Sequence, residues 1–134
     1  MFLLLLLFNA QVNENFPQTI SNKETHIKYG NISVKGSYNI LHINKGNSNF
    51  ENKLDDLYIL LDIHKPDIVS IQEANYDIYS KIKIRGYLVE YNTLTINYNI
   101  ARTILLIREG INYIKSNFED TYTSSVWVEI FIKK

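Results

Sequence analysis

The stretch from Tyr38 to Asn75 constrains the fold more than any other part of this chain, because it has the pattern of a strand, a helix and a second strand. The first strand is predicted over Tyr38 to Asn44. The second is predicted over Asp67 to Glu73, which is rich in β-branched residues and opens with a Pro-Asp turn pair. Between them, residues at helical spacing form one stripe: Phe50, Leu54, Leu57, Leu61 and His64, with Leu60 and Ile63 beside it. The stretch therefore predicts a βαβ unit with two parallel strands.

Polar residues stand at the ends of both predicted strands, Asn44 on the first and Glu73 on the second. The carboxyl ends of parallel strands share one edge of a sheet, where open α/β sheets bind ligands. Hard cations such as Mg²⁺ take one or two carboxylates, with water and substrate oxygens in the other positions. Glu73 is therefore a candidate metal ligand, and Asn44 is a candidate for orienting a phosphate oxygen. Ordinary turn chemistry stays open for both residues, since Asn suits a turn and a carboxylate can accept local N–H groups.

The segment before this unit carries no comparable pattern. Met1 to Phe8 is almost purely apolar, but it is too short to span a bilayer and lacks the basic residues of a signal peptide. A poor signal peptide, an extra strand or helix turn, and sequence foreign to the domain all stay open, and we favour the last. Residues 9–36 are polar, without a sustained period. We therefore predict a poorly structured leader over residues 1–36 and a domain over residues 37–134.

The part of the chain after Gly86 shows the period of strands. Four strands are predicted: Tyr87 to Asn92, Arg102 to Arg108, Ile111 to Ser116 and Ser125 to Ile132. The turn Glu109-Gly110 predicts an antiparallel hairpin between the second and third of these. The last strand has apolar and aromatic residues on both sides, so both of its faces are expected to be covered. Residues 74–85 suit either a short helix or a packed loop. The predicted fold class is α/β, a βαβ unit followed by mostly antiparallel strands.

Charge and composition narrow the function classes. The formal net charge is zero, so the whole chain is not a general binder of polyanions, and the absence of cysteine excludes disulfides and thiolate metal sites. Acidic residues dominate from Glu51 to Asp77, and basic residues dominate from Lys81 to Lys115. An acidic site beside a basic flank suits a metal and a phosphodiester, although two ordinary solvated faces explain the same pattern. Arg102 and Arg108 flank one predicted strand and are candidates for contacting a phosphate backbone or, equally, for surface solubility.

The three histidines do not indicate a metal site. His26, His42 and His64 each lack a second histidine or a carboxylate at the spacing that metal ligands show. We interpret all three as structural residues. His64 lies at the end of the predicted helix, where a histidine also complements the helix dipole.

Several segments together resemble the endonuclease/exonuclease/phosphatase superfamily, most closely the apurinic-type endonuclease domain of non-LTR retrotransposons. The residues that carry the resemblance are Ile40 to Asn44, Lys53 to Leu57 and Lys65 to Glu73, with Ala101 to Ile111 and Ser125 to Ile130 as supporting segments. The Pro-Asp-Ile-x-x-x-Gln-Glu segment with an asparagine upstream is fairly specific. The resemblance covers Asn39 to Ile130.

That resemblance implies hydrolysis of DNA phosphodiesters that depends on Mg²⁺, with Mn²⁺ as an alternative. Glu73 would match the metal-binding glutamate of the family, and Asn44 the active-site asparagine that organises the metal and the phosphate. The implied fold is a four-layer α/β sandwich, of which this chain would hold the N-terminal half. DNA would be the partner, no membrane partner is expected, and the location would be intracellular, nuclear for a retroelement protein.

The sequence also departs from the family. An active-site tyrosine, a Gly-Asp-x-Asn segment and a late Asp-His pair follow the strand matched here by Val126 to Ile132, and this sequence has no counterpart of them. We therefore expect hydrolysis to be very slow or absent. We also expect the second sheet to be lacking, which leaves apolar surface for the missing half or another chain to cover. A non-catalytic retroelement remnant, a lipid phosphodiesterase fragment and an RNA deadenylase fragment stay open as alternatives.

Overall fold

The structure, a computed structural model, describes residues 2–7, 18–22, 25–34, 38–46, 48–80, 82–115 and 125–131. These residues form a mixed α/β fold made mostly of strands, with one short helix, α1 (Leu54–His64), after a 3-10 turn at Phe50–Lys53. A second 3-10 turn lies at Thr93–Thr95. The strands are β1 Phe2–Leu7, β2 Gln18–Asn22, β3 Thr25–Val34, β4 Tyr38–Asn44, β5 Ile68–Gln72, β6 Tyr76–Asp77, β7 Tyr87–Tyr91, β8 Ile100–Ala101, β9 Ile104–Arg108, β10 Tyr113–Lys115 and β11 Val126–Phe131. In the described ranges, no helix is long and apolar enough to cross a membrane.

The predicted strand-helix-strand unit is confirmed. β4 and β5 pair in parallel, in a register that runs from Ile40 opposite Ile68 to Asn44 opposite Gln72. Helix α1 ends at His64, and the next residue, Lys65, adopts a left-handed conformation (φ 45°) and donates its N–H to the Leu61 carbonyl at 2.9 Å. Pro follows Lys65 and cannot continue the helix, because its ring clashes with helical backbone and it has no N–H to donate.

The main sheet has six strands in the order β2-β3-β4-β5-β9-β7. Only β4 and β5 pair in parallel in it; the other neighbours are antiparallel. All five residues of β5 are buried, including the polar residues Ser70 and Gln72, because both faces of the strand are covered.

Two apolar cores lie on the two faces of the main sheet. On one face, α1 packs through Leu57, Leu60 and Leu61 against a cluster that includes Val69 and Leu106. On the other face, the side chains Ile40, Ile68, Leu105 and Ile107 pack against Val126, Val128 and Ile130 of β11. The described residues are therefore layered as helix, main sheet and a second sheet.

The second sheet has three strands in the order β1-β11-β10. The expectation that a second sheet would be lacking is therefore wrong for these residues, since β11 covers the apolar face that it would have left bare. The outer side of β11 is less covered than the sequence predicted, because Trp127 and Glu129 are half-buried and Phe131 is 44% exposed.

The predicted hairpin between the strands around Glu109 and Gly110 is wrong. The turn forms, with Gly110 at φ 95° and the Ile111 N–H donating to the Arg108 carbonyl at 3.2 Å. However, β9 pairs with β5 on one edge and β7 on the other, so neither edge is left for β10. The turn instead carries the chain from the main sheet to the second sheet, where β10 pairs with β11.

Regular structure is present in the segment for which the sequence predicted a poorly structured leader. β1 pairs with β11 from Phe2 opposite Phe131 to Leu7 opposite Val126. β3 pairs antiparallel with both β2 and β4. A ladder is made by backbone groups, so it can form where the side chains show no apolar period. The division of the chain at residue 36 stays a prediction.

The described residues of the ambiguous segment after β5 do not form the short helix that the sequence left open. It contains the short strand β6, which pairs antiparallel with β8, Tyr76 opposite Ala101 and Asp77 opposite Ile100. The ring of Tyr76 is buried and meets the Phe50 ring edge-on at a centroid distance of 5.2 Å. The packed-loop alternative is therefore the closer description of this segment.

Candidate functional site

Asn44 and Glu73 leave neighbouring parallel strands at the same edge of the main sheet. Asn44 lies opposite Gln72, and Glu73 is the next residue along the chain. The Lys45 N–H donates to the Gln72 carbonyl at 3.1 Å, which extends the ladder one residue beyond Asn44. The two strand ends therefore meet as the sequence predicted, while the chemical roles of Asn44 and Glu73 stay predictions.

Glu73 begins an abrupt turn out of β5. Its backbone is left-handed (φ 52°), and so is that of Asn75 (φ 48°). This conformation costs a non-glycine residue about 1–2 kcal/mol. The turn is held by the Ala74 N–H, which donates to the Arg102 carbonyl at 2.7 Å, and by the Asn75 side chain, which donates to the Ser48 carbonyl at 3.1 Å. Backbone strain that the surrounding structure maintains concentrates at binding and catalytic sites, which supports Glu73 as a site residue.

The Asn44 side chain shapes the loop that follows β4. Its Oδ1 accepts the Gly46 N–H at 3.0 Å, so part of its role is the turn chemistry that the sequence left open. In the described part of the chain, this is the one hydrogen bond that the Asn44 side chain makes. An N–H donor such as Nδ2 suits a phosphate oxygen better than a cation.

Lys45 lies at the candidate site and was not predicted from the sequence. It is only 2% exposed, and its ammonium donates to the Gly46 carbonyl at 3.1 Å, to the Ser48 carbonyl, and to Ser48 Oγ at 3.4 Å. Burial and the nearby charge of Lys53 lower the pKa of Lys45 to about 8, and the Glu73 carboxylate opposes that shift. A buried cation therefore lies in the loop that follows β4. No sequence pattern indicates this, because lysine is almost never fully buried.

Polar side chains line the inter-sheet face of β4 and β5 close to this edge. His42 and Ser70 lie opposite each other, with His42 Nδ1 and Ser70 Oγ 2.8 Å apart. Burial lowers the pKa of His42, and a hydrogen bond with the Gln72 side chain acts in the opposite direction. The signal in the sequence is the two-residue period, since His42 and Asn44, like Ser70 and Gln72, alternate with apolar residues on their strands.

Thr103 extends the same polar row onto β9. It precedes Ile104, which lies opposite Ile71, so the register continues to Thr103 beside Gln72. Thr103 is buried, and its Oγ1 has no hydrogen-bond partner among the described residues. Only the pairing of β9 with β5 reveals this neighbour, so the sequence alone gave no signal for it.

Arg102 and Arg108 lie at opposite ends of β9. Arg108 forms an ion pair with Asp67 (Nη1 to Oδ1, 2.8 Å) and donates to the Pro66 carbonyl at 2.8 Å and to the Lys65 carbonyl. It therefore ties β9 to the start of β5. Arg102 is exposed at the edge where Glu73 leaves β5. Nucleic-acid contact stays a prediction for both residues, and only Arg102 lies at the candidate site.

The donors at this edge suit a hydrated cation better than a cage of protein ligands. In the described ranges, no group of three or more His, Asp and Glu side chains stands close enough to hold a metal ion. Glu73 is half-buried and offers one carboxylate, which fits Mg²⁺ when water and substrate oxygens fill the other positions. A cleft of about 250 Å³ beside the turn is also acidic, with Glu51 and Asp77 among its lining residues.

Comparisons of the chain with protein families, with curated proteins and with solved structures found no match. The resemblance to the endonuclease/exonuclease/phosphatase superfamily therefore rests on the sequence segments themselves. The function that it implies for Asn44 and Glu73 stays a prediction.

Proposed function

We propose that this chain carries the metal-holding part of a phosphodiesterase site that acts on DNA. One observation carries the proposal: Asn44 and Glu73 leave adjacent parallel strands at one edge, and a strained turn begins at Glu73. The segments that resemble the endonuclease/exonuclease/phosphatase superfamily support the same two residues. The four-layer sandwich of that superfamily is part of the proposal.

In this proposal, Glu73 holds a divalent cation, Mg²⁺ or Mn²⁺, and the Asn44 Nδ2 donates to a phosphate oxygen. When bound, the cation supplies charge neutralisation at the phosphate and acidifies a water molecule. Lys45 supports both groups, because its ammonium holds the loop after Asn44 and its charge balances that of Glu73. The site then has little net charge before a cation binds, which favours the approach of an anionic phosphodiester.

Arg102 supports DNA as the substrate, since it places an exposed guanidinium at the same edge as Glu73. Guanidinium groups bind phosphates through paired hydrogen bonds. The acidic cleft lined by Glu51 and Asp77 would repel the backbone of DNA. We therefore expect the DNA to approach from the side of β9.

We expect cleavage by this chain to be slow. No residues of this sequence match the tyrosine, the Gly-Asp-x-Asn segment or the Asp-His pair of the family. Groups that transfer protons in the transition state each contribute roughly 10²–10⁴-fold to a rate. Asn44 would orient the phosphate and a cation held by Glu73 would neutralise it, which accounts for only part of the rate enhancement of a complete site.

Nicking of supercoiled plasmid in the presence of Mg²⁺ tests the proposal. We expect slow nicking by the wild-type chain, its loss in Glu73→Gln, and its retention in the matched control Glu109→Gln. Glu109 is exposed in the turn after β9, at the end of that strand away from Arg102. Circular dichroism establishes that each variant is folded.

Two outcomes would overturn the proposal. Nicking that persists unchanged in Glu73→Gln would show that the cleavage does not use this site. A folded wild-type chain that never nicks DNA would instead favour a non-catalytic remnant. Cleavage of RNA or of a phospholipid headgroup in place of plasmid would keep the phosphodiesterase site and reject DNA as its substrate.

A further inference from the structure

A second cleft opens at the end of the main sheet away from Asn44 and Glu73. It has a volume of about 510 Å³ and is lined by Tyr58, Leu61, Asp62, Arg85 and Tyr87. Tyr87 lies opposite Arg108, at the end of β9 far from Arg102. Clefts that bind small molecules span roughly 300–1,000 Å³, so this cleft is large enough for a ligand of moderate size.

Both tyrosine rings are held in place through their hydroxyl groups. Tyr58 donates to the Lys83 carbonyl at 3.2 Å and accepts the Arg85 N–H at 3.4 Å. Tyr87 donates to the Pro66 carbonyl at 2.6 Å, and burial raises the pKa of Tyr87, which keeps that donor protonated. Because the rings are already ordered, a planar ligand that stacks on them loses little side-chain entropy from the protein.

The cleft also presents one cation and one anion, the side chains of Arg85 and Asp62. Arg85 and Asp62 are both exposed, and in the part of the chain that the structure describes neither the guanidinium nor the carboxylate makes a hydrogen bond or an ion pair. An arginine guanidinium binds phosphate in a bidentate manner. An aspartate carboxylate accepts hydrogen bonds from hydroxyl or amino groups.

We propose that this cleft binds a nucleoside monophosphate. The base stacks against Tyr58 and Tyr87, the phosphate binds Arg85, and Asp62 accepts a hydrogen bond from a ribose hydroxyl or a base amino group. A free phosphate would use only Arg85, whereas a nucleotide uses all four polar and aromatic groups of the cleft. The proposal is independent of the phosphodiesterase site, because the two sites lie at opposite ends of β5 and share no residue.

Titration of the full chain with AMP, without added metal, tests this proposal, with ligand-observed NMR or calorimetry as the readout. We expect a dissociation constant of roughly 0.1–1 mM, typical of one stacked base and one paired phosphate. Adenosine and inorganic phosphate each lack one of these contacts, so we expect each to bind about 10-fold more weakly.

Substitutions in the cleft distinguish the phosphate contact from the stacking contact. Arg85→Gln should weaken AMP by about 10-fold and leave adenosine unchanged, because it removes only the phosphate contact. Tyr58→Leu should weaken both AMP and adenosine, because it removes a stacking surface that both ligands use. Lys65→Gln and Tyr98→Leu serve as controls, because neither residue lines the cleft, and we expect less than about a 2-fold change for them.

Three results would overturn the proposal. The first is the absence of saturable AMP binding to the folded wild-type chain. The second is an AMP affinity that Arg85→Gln leaves unchanged. The third is inorganic phosphate that binds as tightly as AMP, which would make the cleft a simple anion site. A chain that does not nick plasmid would contradict the proposed role of Glu73, but it would not affect the three binding measurements.

Discussion

Asn44 stands opposite Gln72 in the parallel pairing of β4 with β5, so the last residue of one strand and the last residue of the other lie side by side. Glu73 follows at once in a left-handed conformation. A change of direction this abrupt, directly after a strand that is buried on both faces, requires support from its neighbours. That support comes from the backbone of Arg102 and from the loop around Ser48.

The strain at Glu73 leads to a first prediction. We expect Glu73→Gly to be about 0.5–1 kcal/mol more stable than Glu73→Ala, since glycine adopts positive φ without the steric cost that alanine has. Asp55, in the first turn of α1, gives the opposite order, because glycine is about 1 kcal/mol worse than alanine inside a helix. Urea unfolding of the four variants measures both differences, and the same order at both positions would contradict the strained turn.

Lys45 leads to a second prediction, on the pH dependence of stability. Its pKa is about 8 in the folded protein against an ordinary 10.5, so the unfolded chain binds this proton more tightly. The free energy of unfolding should therefore rise with pH between about 8 and 10.5. Relative to Lys45→Met, we expect the wild-type chain to gain about 2 kcal/mol from pH 7 to pH 10.

The comparison with Lys45→Met removes the titration of the tyrosines, which both proteins share. Chemical denaturation of the two proteins at a series of pH values gives the difference directly. A difference that does not change between pH 7 and pH 10 would mean that the Lys45 ammonium is not buried as described.

Asp67 leads to a third prediction, on the junction between helix and strand. Its Oδ1 pairs with Arg108 and its Oδ2 accepts the Asn39 N–H, both at 2.8 Å. We expect Asp67→Ala to lower the free energy of unfolding by about 2 kcal/mol, because Arg108 Nη1 and the Asn39 N–H each lose the acceptor that Asp67 provides. Asp62→Ala removes an exposed carboxylate from α1 and should change stability by less than about 0.5 kcal/mol. Equal effects of the two substitutions would rule out this role for Asp67.

The packing of the second sheet on the main sheet leads to a fourth prediction. Ile130 is fully buried between the sheets, whereas its neighbour Phe131 is 44% exposed. We expect Ile130→Ala to cost about 2–4 kcal/mol and Phe131→Ala about 1 kcal/mol or less. Thermal or urea unfolding distinguishes the two, and a larger loss for Phe131→Ala would mean that β11 presents its other face to the core.

The strand-helix-strand unit was predictable because its signals are local. The turn pair before β5, the proline after α1 and the helical stripe all lie within Tyr38 to Asn75. The partner of β10 was not predictable, since the period of a strand does not say which edge in the fold is free. The pairing of β3 with β4 was missed for a related reason, because backbone groups form that ladder whatever the side chains show.

The residues of the candidate site likewise fall into two groups, those that the sequence predicts and those that only the structure shows. Asn44 and Glu73 follow from the topology of one βαβ unit, so sequence spacing placed them together. The burial of Lys45 could not be predicted, because its ammonium depends on carbonyl groups of the folded loop. The different positions of Arg102 and Arg108 could not be predicted either. Only the direction of β9 shows which of the two lies at the edge beside Glu73.

The most direct test of Glu73 as a metal ligand is the effect of substoichiometric Mn²⁺ on the backbone amide NMR signals of the folded chain. We expect selective broadening of the signals from Lys45, Glu73 and Ala74, reversal by excess Mg²⁺, and loss of the effect in Glu73→Gln. Broadening confined to the cleft around Glu51 and Asp77, or broadening at Glu73 that Glu73→Gln leaves unchanged, would contradict a metal site at the edge where β4 and β5 end.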